Sequence, residues 1–358
     1  MSTPRPKRVN LADIAAHLGL AASTVSRALR GVEGIHPETR AQIAAAAQQM
    51  GYVASGGSSL ADESAAEAAP RNVLVLSQRS SPLSYQAYMA GMSEPAAALN
   101  VSIQFHFVAV DQCASVLDDR VAPASLRSGL IDGVVLLSRW PAGVAAAMSA
   151  KCPTVSLAHD YPGTNIDLIS SDDRRGVADL VDHLYASGHR RIGFFGLCPE
   201  VTWSCSRYGA YLEALTRHGL EIDPRLAVRI DLEAALSGGE FHDETAFSRV
   251  KTLLGEGVDA WVCPSAATGQ SLCRYLLASG VRLPADMSLV SYHGNSSPSS
   301  PELPALTTTV VSDEDLGAVT LRRLINRLEN PSEPRQTILL PSHLVIGATS
   351  RVPSPAGM

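Results

Sequence analysis

The chain lacks any stretch apolar enough, and free enough of charge, to cross a bilayer as a helix. Its N-terminus, Met-Ser-Thr-Pro-Arg-Pro-Lys-Arg, is basic but has no apolar segment of the secretory kind, so a cytoplasmic location is expected. The six cysteines are scattered at 113, 152, 198, 205, 263 and 273, with no CxxC pair. That spacing favours reduced thiols over a disulfide framework or a metal role. Catalytic signatures are missing too. No GxSxG elbow surrounds Ser265 or Ser291, the serines considered as partners of His293. His242-Asp243-Glu244 offers metal-ligand types, but adjacent helical residues point in different directions and no third ligand has a recognisable spacing. These absences argue against an enzyme, a metal site or a cofactor.

What is present suits a small domain followed by a large one. The 358 residues are 46% hydrophobic and 18% charged, enough to bury a substantial core. Charge is unevenly placed. Residues 1–55 carry six basic side chains against three acids, a balance of +3 that leaves −9 for the rest of a chain whose total is −6. A basic module on an acidic body can meet phosphates while the body discourages non-specific binding.

Within that module Asn10 precedes a helical repeat of Leu11, Ile14, Ala15 and Leu18, and Gly19 ends it. A second short helix is predicted with Val25, Ala28 and Leu29 inward and Ser23, Thr24, Ser26 and Arg27 outward. Pro37 suits the first position of a third, reaching Met50 with Ile43, Ala46, Ala47 and Met50 inward. Three short helices with a glycine turn describe either a helix-turn-helix or a plain helical bundle. The string Leu-Ala-Asp-Ile-Ala-Ala-His-Leu-Gly-Leu-Ala-Ala-Ser-Thr-Val-Ser-Arg-Ala-Leu-Arg-Gly (11–31), with Thr39-Arg40 and Gly51-Tyr52, resembles the headpiece of the lactose-repressor (LacI/GalR) family of bacterial regulators. The resemblance implies that Ala22 and Ser23 distinguish operators, that Arg27 reaches base edges or phosphate, and that Thr24 and Ser26 hold the DNA backbone. Ala21 stands where the family usually has a serine cap.

Residues 56–70 read as a linker. In the family this region folds on DNA into a hinge helix whose leucine wedges into the minor groove. Leu60 stands at the wedge position. However, Ala54 and Ser55 replace the usual Pro-Asn, and Gly56-Gly57 cost about 2 kcal/mol of helix propensity. A hinge helix and a flexible tether are both open readings.

From residue 71 short apolar runs alternate with longer amphipathic segments, predicting two parallel sheets with helices on both faces. Helices are expected near 83–99, 115–128, 142–150, 173–187, 204–218, 243–256 and 268–279. Asp132-Gly133-Val134-Val135, Asp172-Asp173 with Gly176, Gly188-His189-Arg190-Arg191-Ile192 and Pro304-Ala305-Leu306-Thr307-Thr308 continue the resemblance. They imply a periplasmic-binding-protein-like, two-lobed domain over 71–350. Lobe one is expected at 71–170 and 312–329, lobe two at 171–309 and 330–350. The family implies a homodimer on double-stranded operator DNA, with a small-molecule effector between the lobes.

For the effector, the resemblance puts Arg207, followed by Ala210-Tyr211, at the family's binding arginine and Asp173 at a second cleft position. Tyr85, Trp203 and Ser265 are further candidates. His293 replaces the family's ligand-facing aspartate, Ser265-Ala266 replace Asn-Asp, and Gly347 replaces an arginine. Histidine does not grip two adjacent hydroxyls as a carboxylate does. The expected effector is therefore a sugar or relative of one, with an acidic sugar, sugar phosphate or nucleoside fitting Arg207 and His293 better than a neutral hexose. Two rivals share the fold: a solute receptor, which needs export, and a regulator that has lost small-molecule control.

Overall fold

Consecutive residues of β1 (Arg71–Gln78) are buried on both faces in the computed structural model: Val73 and Val75 join one apolar cluster, Leu74 and Leu76 another. Such a strand belongs in a parallel sheet covered by helices on both sides. The structure describes residues 11–21, 24–25, 28, 36–50, 69–78, 84–118, 120–236, 241–292 and 302–353, which fall into two compact units, Met1–Ala69 and Pro70–Met358.

In the smaller unit α1 (Leu11–Leu18) and α2 (Pro37–Gln49) pack with Val25 and Ala28 around fully buried Ile14, Ile43 and Ala47. Gly19, at φ +65°, lets the Leu20 N–H donate to the Ala15 carbonyl at 2.9 Å, closing α1 and turning the chain. Thr24, Val25 and Ala28 are helical, as the sequence predicts.

The larger unit contains two sheets. The first comprises β1, β2 (Val101–Val108), β3 (Gly133–Leu136), β4 (Thr154–Leu157), β5 (Asp167–Ser171) and β11 (Thr337–Leu340), in the order β11-β5-β4-β3-β1-β2 and all parallel. The second comprises β6 (Ile192–Leu197), β7 (Ala227–Arg229), β8 (Ala260–Cys263), β9 (Ser288–Ser291), β10 (Thr307–Val310) and β12 (His343–Val345), in the order β12-β10-β9-β8-β6-β7. Its strands are parallel except β12, which runs antiparallel to β10. The chain passes between the sheets after β5, β10 and β11. The covering helices are α3 (Ser84–Ala98), α4 (Ala124–Arg127), α5 (Ala142–Lys151), α6 (Asp173–Ala186), α7 (Thr202–Arg217), α8 (Leu232–Leu236), α9 (Glu244–Gly255), α10 (Ala266–Ala278) and α11 (Asp313–Glu329). Helices α3 and α11 meet backbone to backbone: a Cβ on Gly91 would lie 1.9 Å from the Glu314 carbonyl oxygen, and one on Gly317 2.0 Å from that of Tyr88.

Two expectations are corrected. The helix expected at 115–128 is a 3-10 turn (Val110–Leu117) followed by short α4, because bends at Asp118 and Arg120–Ala122 and the donor-less Pro123 interrupt it. The segment 330–350 was expected wholly in lobe two, yet its strand β11 pairs with β5 of the first sheet. The cause is a buried ionic anchor. Asp167 accepts from Arg323 Nε at 2.8 Å, Arg327 Nη2 at 2.6 Å and the Gln336 N–H at 2.6 Å, while Arg323 also reaches Glu333 at 2.8 Å. Burial alone would raise the Asp167 carboxyl, but the donors from Arg327, Gln336 and Arg323 hold it below its ordinary value. This network fixes the chain after α11 beside β5 until it crosses over at Pro341-Ser342. Gly347, where the resemblance leads one to expect arginine, lies against residues 305–306: a Cβ there would be 2.3 Å from the Ala305 carbonyl oxygen.

Candidate functional site

In parallel sheets, functional groups gather beyond the carboxyl ends of the strands. On the second sheet this wall is built around Arg207 of α7. Its Nε donates to Asp173 Oδ1 at 3.0 Å and its Nη1 to the Pro264 carbonyl at 2.6 Å. The guanidinium carbon lies 4.1 Å from the centroid of the Tyr292 ring and 5.0 Å from that of Trp203. Asp173 opens α6 next to Asp172, which caps that helix by accepting the Arg175 N–H. Gly176 makes room for the tyrosine, since a Cβ there would stand 2.4 Å from the Tyr292 ring. Burial pushes the Tyr292 hydroxyl up to about 12. Thus Asp173, Trp203 and Arg207, three candidates from the sequence, meet at one place, with Tyr292 added.

The other candidates stand differently. Ser265 caps α10: its Oγ accepts the Thr268 N–H at 3.2 Å, and Thr268 Oγ1 accepts the Ser265 N–H at 3.1 Å. It stands next to Pro264, whose carbonyl holds Arg207. Tyr85 belongs to the first turn of α3. His293, and Ala22, Ser23, Ser26, Arg27 and Leu60, which the resemblance implies face DNA, lie outside the described residues. Thr24 is half-buried beside the buried Val25.

The first sheet supplies a wall the sequence reading missed. Ser138 and Ala158 follow β3 and β4 closely, with φ of +71° and +67°. That left-handed conformation costs about 1–2 kcal/mol for a residue bearing a Cβ. Each bend sets up the next side chain, Arg139 or His159. Gln78 at the end of β1 steadies the first bend: its N–H donates to Ser138 Oγ at 3.1 Å and its Nε2 to the Arg139 carbonyl at 2.7 Å. His159 is partly exposed. Burial and then the positive charges of Arg139 and Arg207 pull its pKa down to about 4, so the imidazole is neutral at physiological pH. Because Arg139 and Arg207 come from different sheets, their shared repulsion of His159 marks where the two walls face each other. Position immediately after the buried runs Val134–Leu137 and Thr154–Leu157 was the signal that could have found both residues.

One arrangement imitates a nucleophilic triad. His189 Nδ1 is 2.9 Å from Asp259 Oδ1, and its Nε2 is 2.9 Å from Ser288 Oγ. Yet the His189 side chain and Ser288 are fully buried, and Ser288 Oγ accepts the Arg351 N–H at 3.1 Å. A nucleophile must be reachable by its substrate; this triad ties β9 to the C-terminal segment instead. Similarly Asp243, in the triplet read as metal-ligand types, caps α9 by accepting the Ala246 N–H at 2.9 Å. Among the described residues no helix is long and apolar enough to cross a membrane.

Comparison with known proteins places both units. Residues 10–55 match the family of bacterial regulatory proteins, lacI family, and residues 181–350 match a periplasmic binding protein-like domain. The chain is 26% identical to the HTH-type transcriptional regulator CelR of Thermobifida fusca, with 96% of this chain and 98% of that protein aligned. It is also 26% identical to the lactose operon repressor of Escherichia coli K12, covering 97% and 92% respectively. Among solved structures, a CelR–cellobiose complex has a TM-score of 0.63 at 22% identity, covering 96% of this chain and 100% of that one. The lac repressor dimer bound to operator and the anti-inducer ONPF has a TM-score of 0.63 at 23% identity, covering 96% and 99%. These two likenesses are of fold. The chain is a DNA-binding transcription regulator and not an enzyme. It joins a headpiece of the lacI family of bacterial regulatory proteins to a periplasmic binding protein-like domain.

Proposed function

We propose that the chain acts in the cytoplasm as a homodimeric repressor of operator DNA, released or recruited by a small metabolite bound between the two sheets of its larger unit. The headpiece, 1–55, addresses the operator through Ala22, Ser23, Thr24, Ser26 and Arg27, and 56–70 links it to the body, with Leu60 as the minor-groove wedge. The observation that carries the effector half is Arg207, held by Asp173 and the Pro264 carbonyl against the Tyr292 ring. A buried cation positioned by two acceptors and an aromatic face is suited to hydrogen-bond a polar ligand. Support for the DNA half comes from the relative solved as a dimer on operator, and for the effector half from the relative solved with cellobiose.

In this reading ligand acts by differential affinity. It binds one arrangement of the two sheets better than another and so changes the population of headpieces competent for the operator. Selection of genomic DNA fragments by the full chain at physiological salt tests the DNA half. Enrichment of an inverted repeat, abolished by Arg27→Ala, is expected. Equal recovery of fragments by the two proteins would refute it.

A further inference from the structure

We propose that the effector is an anion, a small metabolite bearing a carboxylate or phosphate, whose charged group is received between Arg139 and Arg207. This deepens the reading of the cleft as an effector site and rests on it.

The carboxylates flanking the cleft already have partners. Asp173 is committed to Arg207 at 3.0 Å, Asp172 accepts the Arg175 N–H at 3.0 Å, and Asp160, next to His159, is turned to Arg335. Arg139 is exposed, and among the described residues its guanidinium makes no ion pair or hydrogen bond. Two loops, each bent through one residue at positive φ, thus place an uncommitted guanidinium and an imidazole at the first wall, opposite a guanidinium already oriented on the second. His159 does not add to this charge, because burial and both arginines keep it neutral; it offers one donor and one acceptor.

The backbone field has the same sign. Helices α5, of 10 residues, and α7, of 16, begin just beyond β3 and β6. Their N-cap positions, Pro141 and Val201, supply no side-chain acceptor for the free N–H groups. Partial positive charge at those ends reinforces the arginines. A neutral sugar leaves the charge on Arg139 without a partner. A carboxylate or phosphate can accept from Arg139 and Arg207 together and from neutral His159.

Isothermal titration of the full chain with matched ligands tests this: glucose against gluconate, glucuronate and glucose 6-phosphate, with cellobiose as a neutral reference and inorganic phosphate as the bare anion. At least one charged member should bind ten-fold or more tightly than glucose, and the carboxylate and phosphate arms identify which group is read. Arg139→Gln should abolish that preference and leave the melting temperature of the free protein unchanged; Arg139→Lys should restore part of it. Equal affinity for charged and neutral members, or a preference indifferent to Arg139→Gln, overturns the proposal. If no charged member binds, the proposal also fails. In that case binding of cellobiose or glucose leaves the cleft reading standing, and binding of nothing removes both.

Discussion

The two walls of the cleft are built in opposite ways. On the second sheet the cation is paired: Arg207 has a carboxylate, a carbonyl and an aromatic face, and its side chain is only 10% exposed. On the first sheet Arg139 is exposed, His159 is held neutral by repulsion, and the backbone before each lies in the left-handed region. One wall is complete in the free protein, whereas the other carries strain and charge that a ligand can relieve. Such asymmetry suits a sensor. A completed wall orients the ligand, and an uncompleted one gives ligand binding a free-energy difference to convert into movement.

Four substitutions or conditions sharpen that contrast. Arg207→Ala should have the largest effect, because it leaves the partly buried Asp173 and the Pro264 carbonyl without their donor. Denaturant unfolding should report a loss of about 3 kcal/mol, and effector binding should disappear. Acid comes next, acting through His159. Between its folded value of about 4 and its ordinary value near 6.5 the unfolded chain binds a proton that the folded chain refuses. Stability must therefore fall as pH falls through that window, by on the order of 1–2 kcal/mol at pH 5. Arg139 and Arg207 are the charges facing His159, since Asp160 is turned to Arg335. In His159→Gln that part of the acid sensitivity should be absent from melts at pH 7 and pH 5.

Ala158→Gly relieves the positive φ while freeing the unfolded chain, so thermal unfolding should show a net gain below about 1 kcal/mol. Arg139→Gln is the smallest, within about 0.5 kcal/mol of the parent in the absence of ligand. A loss of several kcal/mol on changing Arg139 would erase the contrast, because that side chain would then be structural.

The sequence made the alternation of the body legible through buried runs such as Val73–Leu76, and the headpiece through a specific string of residues. Of the edge strands, β11 and β12 escaped it. Thr337–Leu340 alternates between exposed and half-buried positions, and its place depends on Asp167 pairing with Arg323 and Arg327, 156 and 160 residues further along the chain. No periodicity encodes that pairing. Arg207 and Asp173 were found because a resemblance located them, and the structure brings them within 3.0 Å. Arg139 and His159 were not found because their meaning is geometric: each is an ordinary polar residue until a bend after a parallel strand turns it toward the facing wall.

The central claim is that occupancy of this cleft controls the headpiece. Its most direct test is the affinity of the full chain for its recovered operator, with and without the tightest member of the ligand panel, in the parent and in Arg207→Ala. The account predicts a ligand-dependent shift of about 5- to 150-fold in the parent and none in Arg207→Ala. An operator affinity indifferent to bound ligand, or an equal shift in both proteins, would contradict it.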